Sequence, residues 1–246
     1  MGADNQAKDR QARKLERKQN TRKSHDRILI VSEGEKTEPN YFKEIRNKYR
    51  LNTAHVGIEP SGYGTEPMQI TQYAEDLFKQ GDPHKKINPK AFEQVYIVFD
   101  RDDHKTYFDA LSYIEILDKK KLLNDLDEPV RFYAVASIPC FEFWLLLHFE
   151  ELKHWVHRDE VYKKLKTYLP DYEKGKNDTF SATLHNLIVA KNRAKALVQY
   201  QEEDGDDKEK DKKNTQAANR YNDSEVYTHV WVLVEALETL TNKHAR

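Results

Sequence analysis

The 246-residue chain carries 42 acidic against 41 basic residues, for a formal net charge of −1, and its 38% hydrophobic share includes 14 Tyr and 10 Phe. That is enough apolar side chain for one sizeable core and excludes a wholly disordered chain. A single cysteine, Cys140, excludes a disulfide framework and a cysteine-rich zinc site and fits a reducing compartment, while the lack of any membrane-length apolar run or apolar leader points to a soluble, cytoplasmic protein without a membrane partner.

Between Lys8 and Arg27 nine Lys/Arg face three Asp/Glu without apolar periodicity. Residues 1–24 therefore read as a basic flexible arm, suited to tracking phosphates or equally to solvation alone. Ile28–Val31 is a short β-branched strand, followed by Ser32-Glu33-Gly34 and a helical pattern to Ile45 in which Pro39 suits the first turn. Asn52–Ile58 reads as a second strand and Met68–Phe78 as an amphipathic helix, with the glycine-bearing loop Ser61–Gly64 between them. A third strand, Val95–Phe99, runs into Asp100-Arg101-Asp102-Asp103 and a helix over Tyr107–Leu123. A fourth, Val130–Ala136, precedes the apolar run Phe141–Leu147, which Glu142 interrupts.

This alternation predicts an α/β fold over residues 25–150, with an open, mostly parallel four-stranded sheet and helices on both faces. From Trp155 onward the pattern is helical, at Arg158–Tyr168, Phe180–Gln199 and Ser224–Leu240. Residues 151–246 are expected to pack beside the sheet as a helical region, with a charged exposed loop near 201–214.

In such a sheet the carboxyl ends of the strands share one edge, so Glu33 after the first strand can meet Asp100 and Asp102 after the third. At a strand-to-loop junction both aspartates can reach the same side. Crowded carboxylates repel and call for a hard cation, which makes Mg2+ or Mn2+ the expected cofactor. The same acids would also suit helix starts or solvated loops. Asp103 is a further candidate for the metal or for capping the next helix. Glu142, after the fourth strand, reaches the same edge and is a candidate catalytic residue or a buried structural acid. Lys36 and Arg101 flank the acids and could touch substrate phosphates, as could Lys191 and Lys195, one helical turn apart; each could instead be a salt-bridged surface residue. His148 suits a core histidine more readily than a catalytic one.

Three segments together carry a family resemblance: Ser-Glu-Gly-Glu-Lys-Thr-Glu-Pro-Asn-Tyr-Phe at 32–42, Phe-Asp-Arg-Asp-Asp at 99–103, and Ser-Ile-Pro-Cys-Phe-Glu-Phe-Trp-Leu-Leu-Leu-His at 137–148. They resemble the RloB-like family, which is related to Toprim domains and is often encoded beside an ATPase in bacterial restriction or abortive-infection loci. The resemblance implies a metal-dependent nuclease of an anti-phage system, with RNA, and tRNA among RNAs, slightly ahead of DNA. It carries the Toprim glutamate onto Glu33 and the Asp-x-Asp pair onto Asp100 and Asp102. Many Toprim nucleases have an acid four residues beyond the first glutamate; here Thr37 stands there and the acid is Glu38. A non-catalytic nucleic-acid-binding module and a regulatory partner of an ATPase are the competing functions.

Overall fold

The structure, a computed structural model, describes residues 27–102, 104–208 and 226–244. The basic arm and Asp103 therefore lie outside the described residues. The elements run β1 (Ile28–Ser32), α1 (Thr37–Lys48), β2 (Val56–Pro60), α2 (Pro67–Gln80), β3 (Gln94–Asp100), α3 (Tyr107–Lys120), β4 (Arg131–Ile138), α4 (Phe141–Leu146), α5 (Arg158–Tyr168), α6 (Thr179–Thr183), α7 (Leu187–Lys208), β5 (Tyr227–Thr228) and α8 (Val230–His244).

The strands form one sheet in the order β2-β1-β3-β4-β5, with all neighbours parallel except β4 and β5. Side chains alternate across it, as the pleat requires. Ile28 and Ile30 of β1 and Tyr96 and Val98 of β3 share one core with Tyr41, Phe42 and Ile45 of α1, Trp144 of α4 and Leu233 of α8. Leu29, Val31, Val95 and Ile97 face the other core, with Ile70 and Leu77 of α2 and Ile114 of α3. This assignment follows from handedness: the chain moves one way from β1 to β2 and back the other way from β2 to β3, so right-handed crossovers put α1 and α2 on opposite faces. The reversal of direction between β1 and β3 opens the crevice at their carboxyl ends where open α/β sheets take ligands.

Four elements differ from the expected ones. The sheet has a fifth, antiparallel strand, because Tyr227 and Thr228 pair with Ile138 and Ser137 at the start of what the sequence suggests is helix. The two hydroxyls of Ser137 and Thr228 meet at 2.9 Å there. β2 begins four residues late because Asn52 closes a turn, its side-chain oxygen accepting the Ala54 N–H at 2.9 Å. The helix expected over Phe180–Gln199 is broken into α6, a 3-10 turn at Leu184–Asn186 and α7. The loop expected near 201–214 is helix as far as Lys208, since Gln201, Glu202 and Glu203 are good helix formers that extend α7; residues 209–214 lie outside the described residues.

Candidate metal centre

β1 delivers Glu33 one residue past its end, where the Glu33 N–H still donates to the Val98 carbonyl of β3 at 2.9 Å. The Glu33 carboxylate turns back across the crevice and its Oε2 accepts the Asp100 backbone N–H at 3.0 Å. Beyond β3 the chain bends at Asp102, which adopts a left-handed φ of 35°, tolerable for aspartate though costly for most side chains. That bend turns Asp102 toward Glu33 and carries the next described residue, His104, to the same place. One donor atom each from Glu33, Asp102 and His104 lies within 4.8 Å of the others.

His104 is held on both sides, its Nε2 3.4 Å from Glu33 Oε1 and its Nδ1 3.2 Å from Glu66 Oε1. Glu66 Oε2 in turn accepts the Thr106 hydroxyl at 2.9 Å. Both ring nitrogens thus face carboxylates; a metal taking Nε2 would leave Nδ1–H donating to Glu66, the outer-carboxylate arrangement that orients histidine ligands. Burial by itself would lower the His104 pKa, but Glu66 and Glu33 override it and raise the value.

Three further acids lie around this group. Glu38 on the first turn of α1 is 5% exposed and Glu142 on α4 is 2% exposed. Asp100, the last residue of β3, has its carboxyl held well above the ordinary range by burial first and then by Glu38, Glu33, Glu142 and Asp102. Burial likewise raises Glu33. Glu38 is pushed up to about 7, by burial and then by Glu33 and Glu142, against its own backbone hydrogen bond. Gly34 makes this crowding possible: a Cβ at that position would overlap the Glu38 carboxylate. Glu142 Oε1 accepts the Tyr172 hydroxyl at 3.0 Å and lies 3.4 Å from Lys174 Nζ.

Cations only partly offset these acids. Arg158 Nη1, on the first turn of α5, donates to Asp102 Oδ2 at 2.7 Å, while Asp102 Oδ1 is buried without a hydrogen-bond partner. A carboxylate with one orphaned oxygen, grouped with a second carboxylate and an imidazole and backed by further acids, is a fit for a divalent cation. The donor set is two carboxylates and an imidazole, so it is not the all-oxygen set expected from sequence.

The placements sort the sequence candidates. Glu33 and Asp102 come together in the three-residue group that could hold a metal, while Asp100 stands outside it, among the buried acids beside it. Glu38 and Glu142 join those acids. Lys36 precedes α1, exposed, with its stem against Gly175. Arg101 lies over the rings of Tyr107 and Phe108. Lys191 and Lys195 do not present a shared basic face: α8 takes up both ammonium groups, Lys191 Nζ at 2.7 Å from Glu238 Oε2 and Lys195 Nζ at 2.7 Å from Glu235 Oε1. His148 is a core residue, with Nδ1 near the Trp144 and Leu145 carbonyls and its pKa lowered by burial to about 4. Cys140 is buried and its thiol is held protonated. Sequence reasoning missed His104, Glu66, Arg158 and Tyr172. The alternating Asp100-x-Asp102-x-His104 was a legible signal for the first; the others are brought in from distant segments.

The raised Glu38 pKa gives a pH prediction for the metal-free protein. The folded state keeps the Glu38 proton up to about pH 7, whereas a solvated glutamate loses its proton near 4.5. Between those values the folded state binds more protons, so stability falls as pH rises through the interval, with Asp100 acting in the same direction. Glu38→Gln is expected to reduce the loss of unfolding free energy between pH 5 and pH 8 by about 2 kcal/mol, measured by urea titration in chelator.

A family model described as RloB-like protein matches residues 28–237, from the first residue of β1 into α8. No curated protein and no solved structure matches the chain.

Proposed function

The chain belongs to the RloB-like protein family, and on that footing we propose that it is a divalent-metal-dependent endonuclease acting on the phosphodiester backbone of nucleic acid as the effector of an anti-phage system. The observation that carries this reading is the convergence of Glu33, Asp102 and His104 at the reversal point of the sheet, beside Asp100, Glu38 and Glu142. A divalent cation bound there would supply positive charge to the phosphoryl oxygens and lower the pKa of an attacking water. Glu33 and Asp102 would hold it with hard oxygens and His104 with nitrogen, a mixture that favours Mn2+ over Mg2+. Glu66 fixes the His104 ring. Asp100 adds a buried carboxyl beside this group, and the buried Glu38 can keep or release a proton near neutral pH, the property required of a general acid or base.

Incubating the protein with tRNA, ribosomal RNA, and single- and double-stranded DNA, each with Mg2+ or Mn2+, followed by end mapping, tests the proposal. Cleavage in Mn2+, weaker in Mg2+ and abolished by chelator, is the expected result, with RNA the first substrate to try. Retardation of nucleic acid without cleavage in either metal would identify a binding module instead. Activity that requires an added ATPase encoded nearby would mark an effector held silent alone.

A further inference from the structure

Beside the acids lies a cavity of about 230 Å3 lined by Cys140, Glu142, Arg158, Asp159, Tyr162 and Lys174. A larger cavity of about 370 Å3, under the loop from Glu151 to Val156, shares none of these residues and sets Glu151 and Glu160 against Lys153 and Lys164. The smaller one also carries two acids and two cations, Glu142 and Asp159 with Arg158 and Lys174, and differs in sharing Glu142 with the carboxylate group, so that its two cations stand beside the metal centre. Arg158 and Lys174 approach closely enough for Arg158 to oppose the charge on Lys174. Both side chains stay about half exposed. On the protein side each is held by a site acid, Arg158 by Asp102 at 2.7 Å and Lys174 by Glu142 at 3.4 Å.

The chain is built to keep Lys174 there. Gly175, with φ of 78°, packs on the Lys36 stem where a Cβ would collide. Its N–H donates to Thr37 Oγ1 at 3.0 Å, and its carbonyl accepts the Asn40 amide at 2.8 Å, tying the loop to the start of α1.

We propose that this cavity seats a backbone phosphate adjacent to the one that meets the metal, gripped by Arg158 and Lys174. The proposal rests on the nuclease reading above. Two neighbouring cations with exposed outer donors form a fork for a phosphate, and arginine presents five donors of which the Asp102 contact uses one. With a cation at Glu33, Asp102 and His104, Asp102 would share its charge with the metal and hold Arg158 less tightly, leaving Arg158 more of its charge for the phosphate. Metal and nucleic acid therefore strengthen each other's binding, and by linkage the strengthening is mutual.

The test is fluorescence anisotropy of a labelled single-stranded oligonucleotide with phosphorothioate links, with and without Mn2+, alongside Mn2+ calorimetry. Arg158→Gln and Lys174→Gln are each expected to weaken oligonucleotide binding about tenfold in Mn2+, the size of one charge-assisted hydrogen bond. Mn2+ should tighten oligonucleotide binding to the wild type several-fold more than to Arg158→Gln, in which only the direct metal–phosphate contact remains, while Mn2+ affinity itself is retained or improved in that variant. Wild-type oligonucleotide affinity in both variants, or full Mn2+ enhancement in Arg158→Gln, would overturn the proposal. Failure of the wild type to bind Mn2+ would instead sink the metal-centre reading. The phosphate seat would then be judged on metal-free affinity, wild type against Lys174→Gln, a variant in a loop whose folding risk is small.

Discussion

Asp102→Asn is expected to lower Mn2+ affinity by about a hundredfold and nucleic-acid cleavage by at least as much, while the protein stays folded. The substitution keeps the size of the side chain and removes the charge whose Oδ1 is buried without a partner. It also releases Arg158 from its 2.7 Å contact, and because Arg158 remains half exposed, water can take over that partner. Asp100→Asn should behave differently. Asp100 has its pKa raised by burial and by four surrounding acids, so neutralising it relieves repulsion and stabilises the metal-free protein even as activity falls. Calorimetry with Mn2+, cleavage assays and urea titrations on the two variants distinguish these outcomes. Wild-type metal affinity and turnover in Asp102→Asn would remove Asp102 from the centre.

The second large effect is on stability. Trp144→Ala is expected to cost about 3–5 kcal/mol and to lower the melting temperature by roughly 10 °C. Trp144 is fully buried, and its indole Nε1 donates to the Tyr41 hydroxyl at 2.8 Å, joining α4 to α1. Tyr41 also packs edge-on against Phe141 and Phe180. Truncation would therefore leave a cavity and a buried hydroxyl short of one partner. The same contact spaces Glu142 on α4 from Glu38 on α1, so the damage should reach the acids. Trp144→Phe keeps most of the packing and removes only the N–H, and should cost much less. Urea denaturation of both variants with matched metal-binding measurements would check this; equal loss in the two would place the effect in the hydrogen bond rather than the packing.

Local sequence determined the frame. Short β-branched runs alternating with amphipathic helices suffice for the parallel strands and their covering helices, because burial on both faces demands those patterns residue by residue. The family resemblance, read from three short segments, also holds over most of the chain. Glu33 and Asp102 were legible because topology alone carries residues just past β1 and β3 to one edge.

What tertiary structure decided is everything that depends on distant segments meeting. The fifth strand exists because Tyr227 and Thr228 find an open edge on β4, a choice that the following helical pattern conceals. Asp100 and Asp102 look equivalent in sequence, yet the left-handed bend at Asp102 separates them, bringing Asp102 to Glu33 and His104 while Asp100 stays with the buried acids. Lys191 and Lys195 have the spacing of a basic face, but packing of α7 on α8 commits their charges to glutamates. Glu66 and Arg158 carry no local mark of function; they reach His104 and Asp102 across 38 and 56 residues of sequence, over distances only the folded chain closes.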